Sequence, residues 1–190
     1  MKKFEGYEAK RSGNARETLP AGGYVCKIFK AEEETYSWGS VLVLSIDVTE
    51  GEYAGIWTRD YKNNTNEDKK WRGTMRLTVP KDDGSEKDAW TKNSFNNAMW
   101  AIEASNPGYV WNWDERSLKD KLVGVIYRDR EWEMNGNTGW TTEAGGLTSV
   151  DDIRNNTFKA LKPKPIKNKP AAAAPAFTDL ASDDDGELPF

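Results

Sequence analysis

The 190-residue chain is long enough for one ordinary domain with a sizeable core and a tail beyond it. Histidine is absent and Cys26 is the single cysteine, which excludes imidazole acid-base catalysis, histidine-based triads, His-ligated zinc and an internal disulfide framework. With 27 Lys and Arg against 31 Asp and Glu the formal net charge is -4, which speaks against a nucleic-acid partner unless the basic residues share one face.

Residues 1–19 form a polar lead-in with Lys2, Lys3, Lys10, Arg11 and Arg16, expected to be extended. There is no apolar leader region, and no apolar run reaches the roughly 18 to 20 residues needed to span a bilayer, so a soluble cytoplasmic protein without membrane contact is expected. Leu19-Pro20-Ala21-Gly22-Gly23 is turn chemistry and opens a domain predicted over residues 20–158. Tyr24 to Glu33 has strand composition, with Cys26 as a small buried apolar residue. Val41 to Thr49 is the clearest strand, placing Leu42, Leu44, Ile46 and Val48 on one face and Val41, Val43, Ser45 and Asp47 on the other. Glu50 to Gly55 reads as a turn and Ile56 to Lys62 as a returning third strand.

Residues 63–84 are a long polar connection with a short strand candidate at Met75 to Val79. From Ser85 to Ser105 the period becomes helical, with Phe95, Ala98, Met99 and Ile102 on one face, Ser85 and Asp88 as a capping box and Asn106-Pro107-Gly108 as the stop. Lys121 to Met134 is a strand, Asn135-Gly136 a hairpin signal, Gly139 to Glu143 the return, and Ser149 to Phe158 a final strand. Three strands, one helix and two or more strands give a mainly β chain in the order of the OB-fold, a Greek-key barrel with its helix between strands 3 and 4.

Nine Trp, seven Tyr and six Phe exceed what a core of this size needs and point to a surface that stacks on flat ligands, bases or sugar rings. On a third strand, Trp57, Arg59 and Tyr61 share a face, next to Lys62, and suit a platform where rings take bases and the guanidinium a phosphate. In the alternative Trp57 and Tyr61 point inward and Arg59 snorkels at the barrel end, which is costly unless the arginine is paired. Arg128, Arg130 and Trp132 share a face of the following strand while Glu131 and Glu133 take the other; the rival is a solvated strand end with ion pairs such as Arg128 to Glu131. Lys69-Lys70-Trp71-Arg72 interleaves base and aromatic on a loop, suiting phosphate contacts beside a stacking ring, or else Trp71 is a lid on the barrel. Trp140 is a weaker candidate; Trp90, Trp100, Trp111 and Trp113 are expected in packing or at an interface.

For catalysis the chain offers only scattered carboxylates, such as Asp60, Glu67 and Asp68, or Asp151 and Asp152, with no P-loop and no dinucleotide fingerprint. No enzyme, metal or cofactor is expected.

After Phe158 the composition changes. Residues 159–176 hold Lys159, Lys162, Lys164, Lys167 and Lys169 among Pro and Ala without an acid, a basic linker. Residues 177–190 hold Asp179, Asp183, Asp184, Asp185 and Glu187 without a base, and end in Leu188, Pro189 and Phe190. The two segments cancel, leaving 22 basic and 26 acidic residues in 1–157. Apolar residues closing an acidic strip suit capture by a partner, with Phe190 in a pocket and a basic rim on its carboxylate and the aspartates.

The ending DDDGELPF resembles the acidic tip of bacterial and phage single-stranded DNA-binding proteins. Gly22-Gly23-Tyr24-Val25, Glu50-Gly51-Glu52 with Gly55, and Asn106-Pro107-Gly108 are similar to the phage-encoded branch. The resemblance implies a barrel that coats and protects single-stranded DNA with little sequence preference during replication, recombination or repair. It also implies that Asp183, Asp184, Asp185, Glu187, Leu188, Pro189 and Phe190 recruit proteins of those processes. The acidic body and large helix depart from the bacterial housekeeping type, so its tetrameric assembly is not carried over and homo-oligomerisation stays open. Two alternatives remain: a carbohydrate-binding β-sandwich with Trp platforms, and a metal-dependent nuclease or recombination accessory.

Overall fold

The computed structural model describes residues 17–166; the lead-in before them and the acidic tip at Asp183 to Phe190 lie outside the described residues. Strands β1 (Gly22–Tyr36), β2 (Gly39–Val48), β3 (Thr74–Thr78), β4 (Leu122–Met134) and β5 (Asn137–Thr148) form one antiparallel sheet in the order β3-β2-β1-β4-β5. Helix α1 (Ile56–Asn63) follows β2, α2 (Glu86–Ser105) lies between β3 and β4, and the short α3 (Val150–Arg154) follows β5. The two edge strands, β3 and β5, approach each other, and α2 touches both.

The pleat decides the core. Leu42, Leu44, Ile46 and Val48 of β2 and Val123, Val125 and Tyr127 of β4 are buried as their alternation requires, and Cys26 and Ile28 of β1 join them. Helix α2 covers this face with Phe95, Ala98, Met99, Ala101 and Ile102. Its start follows the predicted cap: the Ser85 side chain accepts from the Asp88 amide at 3.1 Å. At its end the Asn106 side chain donates to the Ile102 and Leu122 carbonyls and accepts from the Leu122 amide, fixing α2 to the head of β4. Asn135 and Gly136 both take positive φ, 52° and 77°, as a two-residue hairpin turn demands.

Two predicted strands are helices. Residues 56–62 do not return beside β2, whose neighbours are β1 and β3; they form α1. The cause is Asp47, which is fully buried. Its Oδ1 accepts from the amides of Val48 and Trp57, both at 2.9 Å, and its Oδ2 from the Thr58 amide at 2.9 Å and hydroxyl at 2.6 Å. Gly55, at φ 73°, turns the chain into the helix but brings no side chain, so Asp47 supplies the cap from a neighbouring strand. The predicted final strand is α3, because Ser149 accepts from the Asp152 amide and so starts a helical turn.

Residues on both sides of the predicted domain also pack on it. Leu19 is fully buried, and its carbonyl accepts from the Thr142 hydroxyl at 2.6 Å. Lys164 forms a parallel bridge with Arg130: its amide donates to the Asp129 carbonyl at 2.8 Å and its carbonyl accepts from the Glu131 amide at 3.0 Å. Among the described residues no helix is long and apolar enough to cross a membrane.

Replacing Asp47 strands two helix-start amides in the interior, each costing on the order of 1 to 3 kcal/mol. Asp47→Ala should therefore lower stability by about 2 to 4 kcal/mol in urea unfolding, and Asp47→Asn, which keeps one acceptor oxygen, by about half as much. An unchanged unfolding midpoint for Asp47→Ala would show that α1 forms without this carboxylate.

Candidate nucleic-acid interface

Because residues 56–62 are helical, the period-two platform of Trp57, Arg59 and Tyr61 does not form. Trp57 is 4% exposed, and its indole N–H donates to the Tyr127 hydroxyl at 3.2 Å inside the core. Arg59 pairs with Glu17 at 2.9 Å and also donates to the Ala54 carbonyl. Tyr61, one helical turn from Trp57, is half-buried and faces a surface groove. Lys62 is exposed at the end of α1.

That groove, of about 450 Å³, is lined by Phe29, Lys30, Ser45, Thr58, Tyr61, Lys69 and Trp71. Phe29 reaches it through a bulge in β1. Ile28 pairs with Ile46 and Lys30 with Ser45, so Phe29 has no partner in β2, and a large apolar side chain is turned 41% open to solvent. Trp71 is anchored by its indole N–H, which reaches the Gly73 carbonyl at 2.9 Å and the Ile46 carbonyl at 3.2 Å. Gly73 permits this close course of the chain, since a Cβ there would lie 2.2 Å from the Ile46 carbonyl oxygen and 2.4 Å from the Trp57 ring.

Phe29 and Tyr61 flank Trp71, with ring centroids 6.0 and 5.9 Å away and interplanar angles of 73° and 50°. The Lys69 ammonium sits 4.7 Å from the Tyr61 centroid and that of Lys27 5.7 Å from the Phe29 centroid. No carboxylate lines the groove. The nearby Asp60 is paired with Arg72, whose guanidinium lies 5.4 Å from the Trp57 centroid; Arg72 therefore serves the packing of α1. Lys70 is exposed beside Lys69. Lys27 is paired with Asp120 at 3.1 Å and Lys30 with Glu32 at 2.6 Å, while Lys69 has no ion-pair partner among the described residues. Three rings with Lys69 at their rim can hold a flat ring by its face while the ammonium meets an attached anion.

The structure does not place Arg128, Arg130 and Trp132 in this groove. The two arginines share a face of β4 as expected, but both point at Glu143 of β5. Arg128, directly opposite, donates to it from Nε at 3.1 Å and from its terminal nitrogen at 2.9 Å; Arg130 Nε lies 3.6 Å away and Lys164 Nζ 3.2 Å away. The partner of Arg128 is thus Glu143, while the Glu131 carboxylate accepts from the Ile166 amide at 3.2 Å. Trp132 lies over Gly139, its cross-strand partner.

Burial alone would raise the Glu143 carboxyl, but hydrogen bonds and charge from Lys164 and Arg128 outweigh it and hold the group below the usual glutamate range. A carboxylate held low stabilises the fold above its unfolded pKa, and that contribution disappears as pH falls through the folded value. Glu143→Gln should therefore destabilise the protein at neutral pH and flatten its stability profile below about pH 4.5. Urea unfolding from pH 7 down to pH 3 checks this, and parallel profiles for both proteins would contradict it.

Phe29, Lys30 and Thr58 escape the sequence reading, although adjacent Ile28 and Phe29 break period two and so signal the bulge. Of the tryptophans expected in packing or at an interface, Trp111 is partly buried against the core and Trp113, though exposed, stacks on Phe95 with centroids 6.0 Å apart; Trp90 and Trp100 are exposed, as are Trp38 and Trp140. Of the scattered carboxylates, Asp60 pairs with Arg72 and Asp152 accepts from the Thr148 and Ser149 hydroxyls. Among the described residues no group of three or more His, Cys, Asp or Glu is placed to hold a metal ion. Comparison with protein-family models gives no match, and comparison with curated proteins gives none either.

Proposed function

We propose that this chain binds single-stranded DNA without strong sequence preference, in phage or bacterial DNA replication, recombination or repair. The observation that carries the proposal is the groove of Phe29, Tyr61 and Trp71 with Lys30 and Lys69 at its rim. Stacking is worth roughly 1 to 3 kcal/mol per base and hardly depends on which base is stacked, while lysines supply the phosphate contacts of any strand. The order β3-β2-β1-β4-β5, with a helix between β3 and β4, supports an OB-type barrel, a fold much used for oligonucleotides.

Partner proteins would be recruited by the acidic tip at Asp183 to Phe190, a reading that rests on its resemblance to single-strand-binding proteins and on the chemistry of terminal carboxylate capture.

Titrating oligo-dT against intrinsic Trp fluorescence tests the first part. Quenching should be strong with single strands, weak with a duplex of equal length, and should fade as salt rises. Phe29→Ala and Tyr61→Ala should each weaken binding by about 5- to 100-fold with the fold retained. Quenching by oligosaccharides with no salt dependence would favour a carbohydrate module, and strand cleavage that needs a divalent metal would favour a nuclease.

Deleting Ser182 to Phe190 tests the second part. The acids of the tip should compete with DNA for basic residues at low salt, so the truncated chain should bind DNA equally or more tightly and lose its partner proteins. Weaker DNA binding by that truncation would contradict the competition.

A further inference from the structure

A second aromatic groove lies on the same sheet face, at the far end of β1 and β2. It is lined by Trp38, Gly39, Thr78, Val79, Lys81 and Lys87 among others, and Trp90 forms a wall; its volume is about 570 Å³. Trp38 sits in the β1–β2 turn, stacked on Tyr36 with centroids 5.3 Å apart and planes 8° from parallel. This places a rigid two-ring slab at the tip of the hairpin. Trp38 is 54% exposed, and Trp90, in the first turns of α2, is 78% exposed. A tryptophan so open contributes little to the core and leaves its faces free for a ligand.

The position relative to the first groove follows from strand geometry. Ser45 lines the first groove and Gly39 the second, six residues apart on β2 and so on the same face, a separation of roughly 20 Å. Arg76 on β3, opposite Val43, lies between them on that face. The acids of β1 on this face, opposite Val43 and Val41, are already matched: Glu32 with Lys30 at 2.6 Å, and Glu34 with Arg76 at 2.9 Å and with the Tyr36 hydroxyl. Within the second groove Asp88 accepts from the Lys81 amide at 2.7 Å and meets Lys92 at 3.2 Å, and Asp83 accepts from the Ser85 amide at 3.0 Å. Lys81 and Lys87 have no ion-pair partner among the described residues. The acids facing the stretch between the grooves are thus paired, and the second groove sets Lys81 and Lys87, with the Asp83 carboxylate near enough to Lys81 to feel its charge, beside two exposed indoles.

We propose that the Trp38–Trp90 groove is a second stacking station for the same single strand, which takes an unpaired base between the hairpin tip and the start of α2 while Lys81 and Lys87 meet the adjoining phosphates. The inference rests on the single-strand reading above and extends it. The chain binds two separated segments of one strand, and full affinity requires a strand long enough to bridge them.

The test compares oligo-dT of about 4 and about 16 nucleotides, the two ends of the range of site sizes for one such barrel, on the full chain. Trp38→Ala and Trp90→Ala should each weaken binding of the long oligonucleotide by about tenfold, the worth of one stacked base, and leave the short one within about twofold. Lys87→Ala should lower the salt slope for the long oligonucleotide by about one. Thermal melting establishes that each variant is folded; Trp90→Ala alone carries the test if the hairpin tip does not tolerate loss of Trp38. Wild-type affinity of Trp90→Ala for the long oligonucleotide overturns the second station and leaves the first groove standing. A wild-type chain that binds neither oligonucleotide overturns the single-strand reading, and the second station with it.

Discussion

A buried aspartate holds the first groove in shape. Asp47 sits in a buried junction, where an uncompensated carboxylate costs several kcal/mol, and its compensation is the unfilled amide end of α1. The attraction acts in both directions: the helix start needs an acceptor, the anion needs donors, and neither is well placed alone. With α1 docked this way, Trp57 enters the core beside Tyr127, Thr58 and Tyr61 turn to the groove, and the loop that follows is brought back along β2. There Trp71 closes onto the Ile46 carbonyl, a free acceptor where β3 has stopped pairing with β2. The rings of the groove are therefore positioned by strand-edge and helix-end polar groups seeking partners.

Charge is sorted in the same manner. Several acids of the net acidic body are tied to Arg59, Arg76, Arg128 and Arg154, whereas Lys69 and Lys121, each beside an aromatic ring, have no ion-pair partner among the described residues. Arginine, with its planar fork, ties carboxylates at each of these four positions, while lysine, a flexible point charge, serves both in ion pairs, as at Lys30, Lys92 and Lys164, and at the groove rim, as at Lys69. The groove carries the sign that matters over a short range, and at physiological salt the Debye length of about 8 Å makes that local sign more important than the overall -4.

Much of the fold was legible from local rules. The alternation of Leu42 to Val48, the 3.6-residue period of Phe95 to Ile102 with its Ser85 cap, and the Asn135-Gly136 turn each identify their element because the signal and its cause are neighbours in sequence. Pairing back from that turn even places Arg128 opposite Glu143, so this ion pair follows from register, and looking to Glu131 missed it. The stretch from Ile56 to Lys62 was not legible in this way. Its composition, Ile56-Trp57-Thr58-Arg59-Asp60-Tyr61-Lys62, carries no helix cap of its own after Gly55, and what starts the helix is a carboxylate ten residues earlier that only the folded chain brings to the Trp57 amide. Tyr61, Lys69 and Trp71 were recognisable as residue types, but their meeting with Phe29 depends on a one-residue bulge.

The single bridge between Lys164 and Arg130 has a consequence for solubility. Strand β1 pairs with β4 only as far as Tyr127, so from Arg128 onward one edge of β4 has no partner strand in the sheet. The backbone of Lys164 occupies part of that edge. An unoccupied strand edge is a template on which another chain can add a strand, and the usual outcome is self-association. The backbone at Lys164 thus covers part of that edge, and a fragment cut back to the end of α3 would leave the Asp129 carbonyl and the Glu131 amide open to pairing with another chain.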